Sequence, residues 1–561
     1  MEAIDKESID EKRGNCHMNE YELLGGLHEL IDADVDKKVA EWLDKHNVNY
    51  WLLYPLAMIE LGVMNNDPET TENLLKRCVT SFVYAKAINN GRKLYLKKFN
   101  IPGLKRYMKE YENVLLPIFQ NYRFSREIND INPVSKAKLT QIDVHRYQVT
   151  TSLVTDKYQE ENFYFYGVDD PKSSEIERRQ ALDLHLKFWN KIILEQKIIS
   201  KLEKNIDDDL YQGCIKIVEK DIDKWASNVR SAVFDNPRQI IHVIAFFYYQ
   251  SLLRSISIRI GTLYGEEYID NAPDIIMVFD KMQCIRDITS SSNLNIKKVE
   301  RIVEYFINRG NTNILEFPLF EIEDKLVTIP SLFLVNDWQF TIVNGHYAKN
   351  IPIKNREKTL SIVTEGRIEK TLQDVSNIAT VKTKPYSYKD ANGELQCSDI
   401  DFAIYDKIRN IILVIEAKWI DKHYSDEIDK RYGMIFKTLN GIFTKQIKKH
   451  REFLSQRENI DFIFEDDERY IRSEMEPQIY YLAVDKRNQM HIDEMHMISE
   501  YMMIYFLKKY SKNHELNLLD LWKEISSLKT KFEYIITSSD FYEIKVGEDI
   551  VLVGKDDLFW E

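Results

Sequence analysis

The chain has 561 residues, 44% of them hydrophobic and 12% aromatic, with 90 acidic against 77 basic residues and a formal net charge of −13. That length exceeds one ordinary domain, that apolar content excludes a disordered chain, and that charge excludes a protein coated in basic surface. Nucleic acid stays open as a partner, because phosphate contact needs only a local basic track.

The first residues, MEAIDKESIDEKRGN, are charged and lack an apolar core, so no signal peptide is visible. Only 18 Gly and 13 Pro punctuate the chain, which favours helices. Apolar spacing predicts helices over Asp34–Lys45, Asn49–Met64, Glu69–Asn89, Glu175–Lys204, Asp207–Val229, Pro237–Leu263 and Lys297–Arg309. In the fourth, Leu182, Leu186, Trp189, Ile193 and Ile198 keep roughly helical spacing. Arg92–Lys109 is a basic patch interleaved with Tyr95, Phe99 and Tyr107; stacking on such rings suits single strands, although rings of this kind more often pack inward. Tyr158–Asp170 is aromatic and strand-like, and Val168–Ser174 reads as a loop. The most apolar run, Ile240–Leu253, is short and holds His242 and Gln250, so it reads as a core helix rather than a membrane span. The expected compartment is the cytoplasm. Cys16, Cys78, Cys214, Cys284 and Cys397 are scattered without a CxxC pair, which points to reduced thiols rather than a disulfide framework or zinc finger.

Near Asn311 the texture changes. Residues 1–310 read as a mainly helical recognition, sensing or assembly region, and 311–561 as an α/β domain with its core at 361–485. Glu316–Ile329 and Trp338–Val343 carry strand vocabulary, with Pro318 and Pro330 near their edges. Ser361–Thr380 is predicted as a helix with an apolar stripe of Ile368, Leu372, Val375 and Ala379. Val381–Tyr388 follows as a strand, Asn392-Gly393 as a hairpin turn, then strands Leu395–Tyr405 and Ile411–Trp419. Ile428–Gln456 reads as a long helix, with Ile435, Leu439, Ile442, Ile447 and Leu454 inside, and Gln478–Val484 as a further strand. Helix Ile498–Lys509 and a β-rich tail, Phe532–Val553, complete the order. The expected fold is a central mixed sheet flanked by helices, preceded by a large mainly α-helical region.

Within that series, Asp401 lies on one predicted strand and Glu416-Ala417-Lys418 ends the next. Side chains alternate along a strand, so Glu416 and Lys418 point the same way. Burying charge without a partner is costly, so a fold rarely keeps such a pair for packing alone. Glu195-Gln196-Lys197, Glu323-Asp324-Lys325 and Glu543-Ile544-Lys545 repeat the tripeptide pattern without its context: the first sits in a predicted helix, and the others lack an Asp near 15 residues upstream on a preceding strand. The plain alternative for the Glu416 copy is a surface ion pair on an edge strand. HIDEMH (His491–His496) fails as a zinc motif, because its histidines are five apart and point to different helix faces. No GxxxxGK[ST] appears, so no built-in NTPase is expected.

The order helix, strand, strand, strand, helix, strand, with D…ExK on its second and third strands, resembles the PD-(D/E)xK nuclease superfamily, the restriction endonuclease-like fold. The resemblance covers about residues 361–485. It implies that Asp401 and Glu416 bind Mg²⁺ (or Mn²⁺), that the Ala417 carbonyl adds a ligand, and that Lys418 is catalytic. Asp399, on the same strand face as Asp401, is either an alternative ligand or a second one. A first-helix acid is expected to face the site; Glu365 and Glu369 are one turn apart, and Glu369, beside the apolar stripe, is preferred. Gln446, in TKQIKKHREF, is expected to assist. The family's usual Pro before the acidic residue is replaced by Ile400. Lys437, Lys445, Lys448, Lys449, His450 and Arg451 cluster on the following helix, as a phosphate track or as a solvated face. The implied function is a metal-dependent nuclease, DNA favoured over RNA, in a bacterial defence or restriction-like role. The alternatives are a catalytically silent nucleic-acid- or protein-binding subunit, or an RNA nuclease. No membrane partner is expected; the helical region is a candidate for homo-oligomer or partner-protein contacts.

Overall fold

The computed structural model describes residues 7–65, 71–129, 137–157, 171–194, 206–222, 229–265, 267, 269, 272–310, 314–336, 338–354, 356–418, 431–486, 488–536 and 538–560. Tyr158–Asp170, Trp419 and the start of the helix predicted at Ile428 lie outside them.

The α/β part is built on six strands. β1 (Ile378–Lys389) and β2 (Leu395–Asp406) form an antiparallel hairpin whose turn includes Asn392-Gly393, where Gly393 takes φ 81°, a value glycine adopts freely. β3 (Ile411–Lys418) pairs antiparallel with β2 and parallel with β4 (Gln478–Asp485). β5 (Met490–Ile492) and β6 (Met495–Ser499) form a second hairpin, with β6 parallel to β4. The order across the sheet is β5-β6-β4-β3-β2-β1. Helices cover both faces. α1 (Arg356–Thr371) is followed by α2 (Arg431–Gly441), α3 (Ile447–Leu454), α4 (Arg457–Phe464), α5 (Glu500–Tyr510) and α6 (Leu518–Ser527). α1, α5 and α6 pack on the face carrying Phe402, Ile404, Leu413 and Ile415. α2, α3 and α4 pack on the face carrying Ala403, Tyr405, Ile412 and Val414. β3 is therefore apolar from Ile411 to Ile415, where both its faces are covered, and burying a residue such as Leu413 or Ile415 contributes about 1.5–3 kcal/mol. An interior position also removes the edge-strand alternative for Glu416.

The remaining chain is mainly helical but not only so. A five-stranded sheet joins Ala137–Asp143 and Arg146–Thr155 to the tail strands Lys531–Ile535, Phe541–Val546 and Asp549–Gly554. One apolar core runs from Leu23 to Val343 and takes in Ile544, Val551, Val553 and Leu558. The cores thus do not divide at 310/311: residues up to 343 and the C-terminal tail belong with the helical part. The α/β unit is inserted between them, its cores drawing on residues from Ile368 to Leu528.

Three expectations change. Trp338–Val343 is not a strand but the start of helix Trp338–Ala348, where Trp338 and the consecutive residues Thr341, Ile342, Val343 and Asn344 are all buried and Trp338 packs on Phe306 and Phe333. Packing here overrides β propensity. The helix predicted to Thr380 ends at Thr371, and Ile378–Thr380 begins β1. Asn377 fixes that start: its Nδ2 donates to Asp406 Oδ1 at 3.0 Å, and its Oδ1 accepts the Leu516 N–H at 2.8 Å. The long helix after β3 is split into α2 and α3 by a π turn at Ile442–Gln446. Among the described residues no helix is long and apolar enough to cross a membrane.

Glu60, on the buried helix Tyr54–Asn65, accepts the Ser331 N–H at 2.8 Å, and burial pushes its carboxyl up to about 7. The folded state thus disfavours its charge. Stability from this group is complete below about pH 4.5 and is lost as pH rises through about 7, by up to ~3 kcal/mol. Glu60→Gln is expected to raise the melting temperature above pH 7 and to leave it nearly unchanged at pH 4.5, as read by calorimetry at both ends.

Candidate active site

Phe402 pairs with Ile415 across β2 and β3, so the same register sets Asp401 opposite Glu416. The Ala417 N–H donates to Asp401 Oδ2 at 2.9 Å and ties the end of β3 to the middle of β2. Lys418 Nζ lies 3.0 Å from Glu416 Oε2 and 3.6 Å from Asp401 Oδ2. The three side chains sit on a gradient of access, 2% exposed at Glu416, 13% at Asp401 and 29% at Lys418, so the cluster opens toward solvent on the Lys418 side.

Two carboxylates directly opposite one another repel, and the surroundings settle which keeps its charge. Burial and then the charge of Glu416 push Asp401 up to about 7, against Lys418 and the Ala417 N–H. Burial would also raise Glu416, but the His450 hydrogen bond and the Lys418 charge outweigh it and hold that carboxyl below its ordinary range. Burial lowers Lys418, and Glu416 and Asp401 more than reverse it. Asp401 is the carboxyl that carries a proton near neutrality in the absence of a cation.

His450, fully buried on α3, is a site residue that the sequence reading put only in a basic patch. Its Nε2 contacts Glu416 Oε1, and its Nδ1 lies 2.7 Å from the Tyr386 hydroxyl on β1. With the proton on Nε2, Tyr386 donates to Nδ1 and His450 donates to Glu416, which satisfies both contacts. One signal was available: Ile447, His450, Phe453 and Leu454 follow a buried helical stripe, so the histidine belonged to the core face. Two other cations of that helix have different partners: Lys449 Nζ donates to the Cys397 carbonyl at 3.3 Å, and Arg451 lies over the Tyr481 ring.

The first-helix acid facing the cluster is Glu365, not Glu369. Glu365 is buried, accepts from Thr383 Oγ1 at 2.6 Å, and is raised by burial, with Asp399 adding to the shift. Its charge contributes to raising Asp401. Glu369 is exposed and pairs with Lys382 at 3.1 Å; one helical turn carries it past the rim of the sheet. Thr383 stands opposite Asp401 in the β1–β2 register, where the ladder skips a pair, and holds φ 48°. That left-handed value is unusual for a β-branched residue and costs of order 1–3 kcal/mol. It turns the hydroxyl onto Glu365, a local event that propensity does not reveal. Asp399 is exposed, outside the cluster, yet its charge reaches Lys418 and Glu365. Gln446 is half-buried in the π turn, one turn before His450.

The donor set suits a hard cation. Glu416 Oε2 and Glu365 Oε1 are buried carboxylate oxygens without a well-directed hydrogen-bond donor, and Asp401 adds a third carboxyl. Mg²⁺ needs only one or two protein carboxylates, because it keeps several waters. Against this, among the described residues no three His, Cys, Asp or Glu side chains are gathered as a ready-made cation cage. Lys418 sits where a cation would relieve the same repulsion. The HIDEMH histidines, expected on divergent helix faces, meet across the β5–β6 hairpin, His491 Nδ1 3.2 Å from His496 Nδ1. Asp156 is 3.9 Å from His491 Nε2, too far to complete a zinc site.

No family model matches the chain, and no curated protein or solved structure matches it.

Asp401→Asn keeps an oxygen for the Ala417 N–H and removes the repulsion with Glu416. Without added metal, the variant is expected to be more stable than wild type above pH 7, by roughly 1 kcal/mol. The gain should shrink as pH falls through about 7, where Asp401 itself takes up a proton. Thermal unfolding on both sides of that pH checks it.

Proposed function

We propose that the chain is a metal-dependent nuclease that hydrolyses phosphodiester bonds, with DNA favoured over RNA and a restriction-like role in bacterial defence. The observation that carries this reading is the meeting of Asp401 and Glu416 across two strands, with Lys418 within 3.6 Å of both on the solvent side. The resemblance of D…ExK to the PD-(D/E)xK nucleases supports the same assignment.

In this reading Asp401 and Glu416 would hold Mg²⁺ or Mn²⁺, and the family resemblance would add the Ala417 carbonyl as a ligand. The cation supplies neutralisation of the phosphodiester's charge and lowers the pKa of water. Lys418 serves at the exposed edge, where its ammonium orients water or faces the charge that develops on phosphate. Asp401, pushed up to about 7 by burial and by Glu416, would hold a cation only in its ionised form, so metal affinity would rise with pH through neutrality. Glu365 replaces Glu369 as the supporting acid. His450 and Tyr386 are positioning residues: they fix the rotamer of Glu416 and act through it.

A second reading, a silent nuclease-fold module, has its own observation: Lys418 and His450 already engage both oxygens of Glu416. Cleavage of plasmid DNA with Mg²⁺ or Mn²⁺ separates the two, with labelled RNA run in parallel. Asp401→Ala and Lys418→Ala are each expected to lose about 10²-fold or more in rate. Equal cleavage by all three proteins, or none by wild type with either metal, removes the hydrolytic assignment. Tyr386→Phe and His450→Gln are expected to raise the metal concentration needed for half-maximal rate roughly 10-fold or more, with a smaller change in the maximal rate.

A further inference from the structure

We infer that residues 92–109 form a docking track for single-stranded nucleic acid, separate from the Asp401 cluster. This stretch, RKLYLKKFNIPGLKRYMK, holds seven cations and no acid in a chain of net charge −13. Arg92 is ion-paired with Asp44, as Lys86 is with Asp36 and Arg126 with Asp32. Among the described residues, no carboxylate pairs with Lys93, Lys97, Lys98, Lys105, Arg106 or Lys109.

The segment is anchored, although residues 92–100 form no regular element. Phe99 packs edge-on against Tyr54, and Tyr107 against Tyr50, so two of the three interleaved rings are structural. Asn49 Nδ2 donates to the Lys98 carbonyl at 3.0 Å. Asn100 caps helix Ile101–Glu110 by accepting the Gly103 N–H at 2.7 Å. These inward contacts leave the cations outside and present Tyr95, 52% exposed, beside Leu96, 39% exposed. A ring in the open between Lys93 and the Lys97-Lys98 pair matches what an unpaired strand offers, phosphates at regular spacing and bases free to stack. A duplex keeps its bases stacked inside and has less use for such a ring.

The inference goes beyond the hydrolytic reading and does not rest on it, so binding is measured in EDTA with the full chain and fluorescent single-stranded DNA and RNA oligonucleotides. Wild type is expected to bind with a log–log salt slope of about −0.7 per neutralised phosphate. Lys97→Gln/Lys98→Gln/Lys105→Gln should weaken binding more than tenfold and flatten that slope. Tyr95→Ala should weaken it roughly fivefold or more at unchanged slope. Circular dichroism and melting temperature are expected to match wild type in both, since these side chains are exposed. Wild-type protein that binds neither oligonucleotide, variants that bind as wild type does, or tighter binding to duplex than to single strands overturns the inference. Patch-dependent binding to phosphatidylserine vesicles without oligonucleotide binding overturns it in favour of a lipid surface.

Discussion

One buried carboxylate organises the α/β unit. Glu416 sits 2% exposed at the end of an interior strand and is held charged there by His450 on one oxygen and Lys418 on the other. An ion in that position is destabilising unless its partners come with it. Those partners arrive from α3 and from the same strand, and Tyr386 on β1 fixes the histidine in turn. Asp401, packed opposite, carries the uncompensated share of the repulsion and is the group pushed up to about 7. The cluster is a local expense in stability, the pattern expected where a site is kept for chemistry rather than for packing.

The same sheet shows why this cluster opens to solvent at one end only. Interior strands covered by helices on both faces have no polar neighbours along most of their length, and β3 is buried from Ile411 through Ala417. Charge is tolerable only where the strand leaves the layers, and all of Asp401, Glu416 and Lys418 lie at that exit. The left-handed Thr383 lies across from Asp401 at the place where the β1–β2 ladder is interrupted, and there Glu365 enters from the opposite helical layer. Carboxyls from both sides of the sheet thereby approach one rim.

The α/β unit is also tied to the larger helical body. Lys531 pairs with Thr155, and the last strand, Asp549–Gly554, runs parallel to Arg146–Thr155, so the chain leaves the helical body and returns to the same sheet. Asp156, at the end of that sheet strand, accepts from Thr530 Oγ1 at 2.8 Å and from Gln489 Nε2 at 3.1 Å, which joins the sheet to the β4–β5 connection. Motion of one part relative to the other would have to break these partly buried polar contacts.

Much of the site strand was legible in the residues. An apolar run ending in Glu416-Ala417-Lys418 suits an interior strand, alternation fixes which side chains share its face, and Asn392-Gly393 marks the hairpin that returns Asp401 alongside. Helix Pro237–Leu263 was likewise readable from its apolar length, and it has those same limits in the structure. What local pattern could not carry was any contact between distant segments. That His450 serves Glu416, that Glu365 and not Glu369 turns inward, that Trp338–Ala348 is helical, and that the C-terminal strands join a sheet begun near residue 137 all depend on which surfaces meet. Those pairings are set by burial and by the geometry of the whole core, whereas a sequence window records only periodicity and turn chemistry.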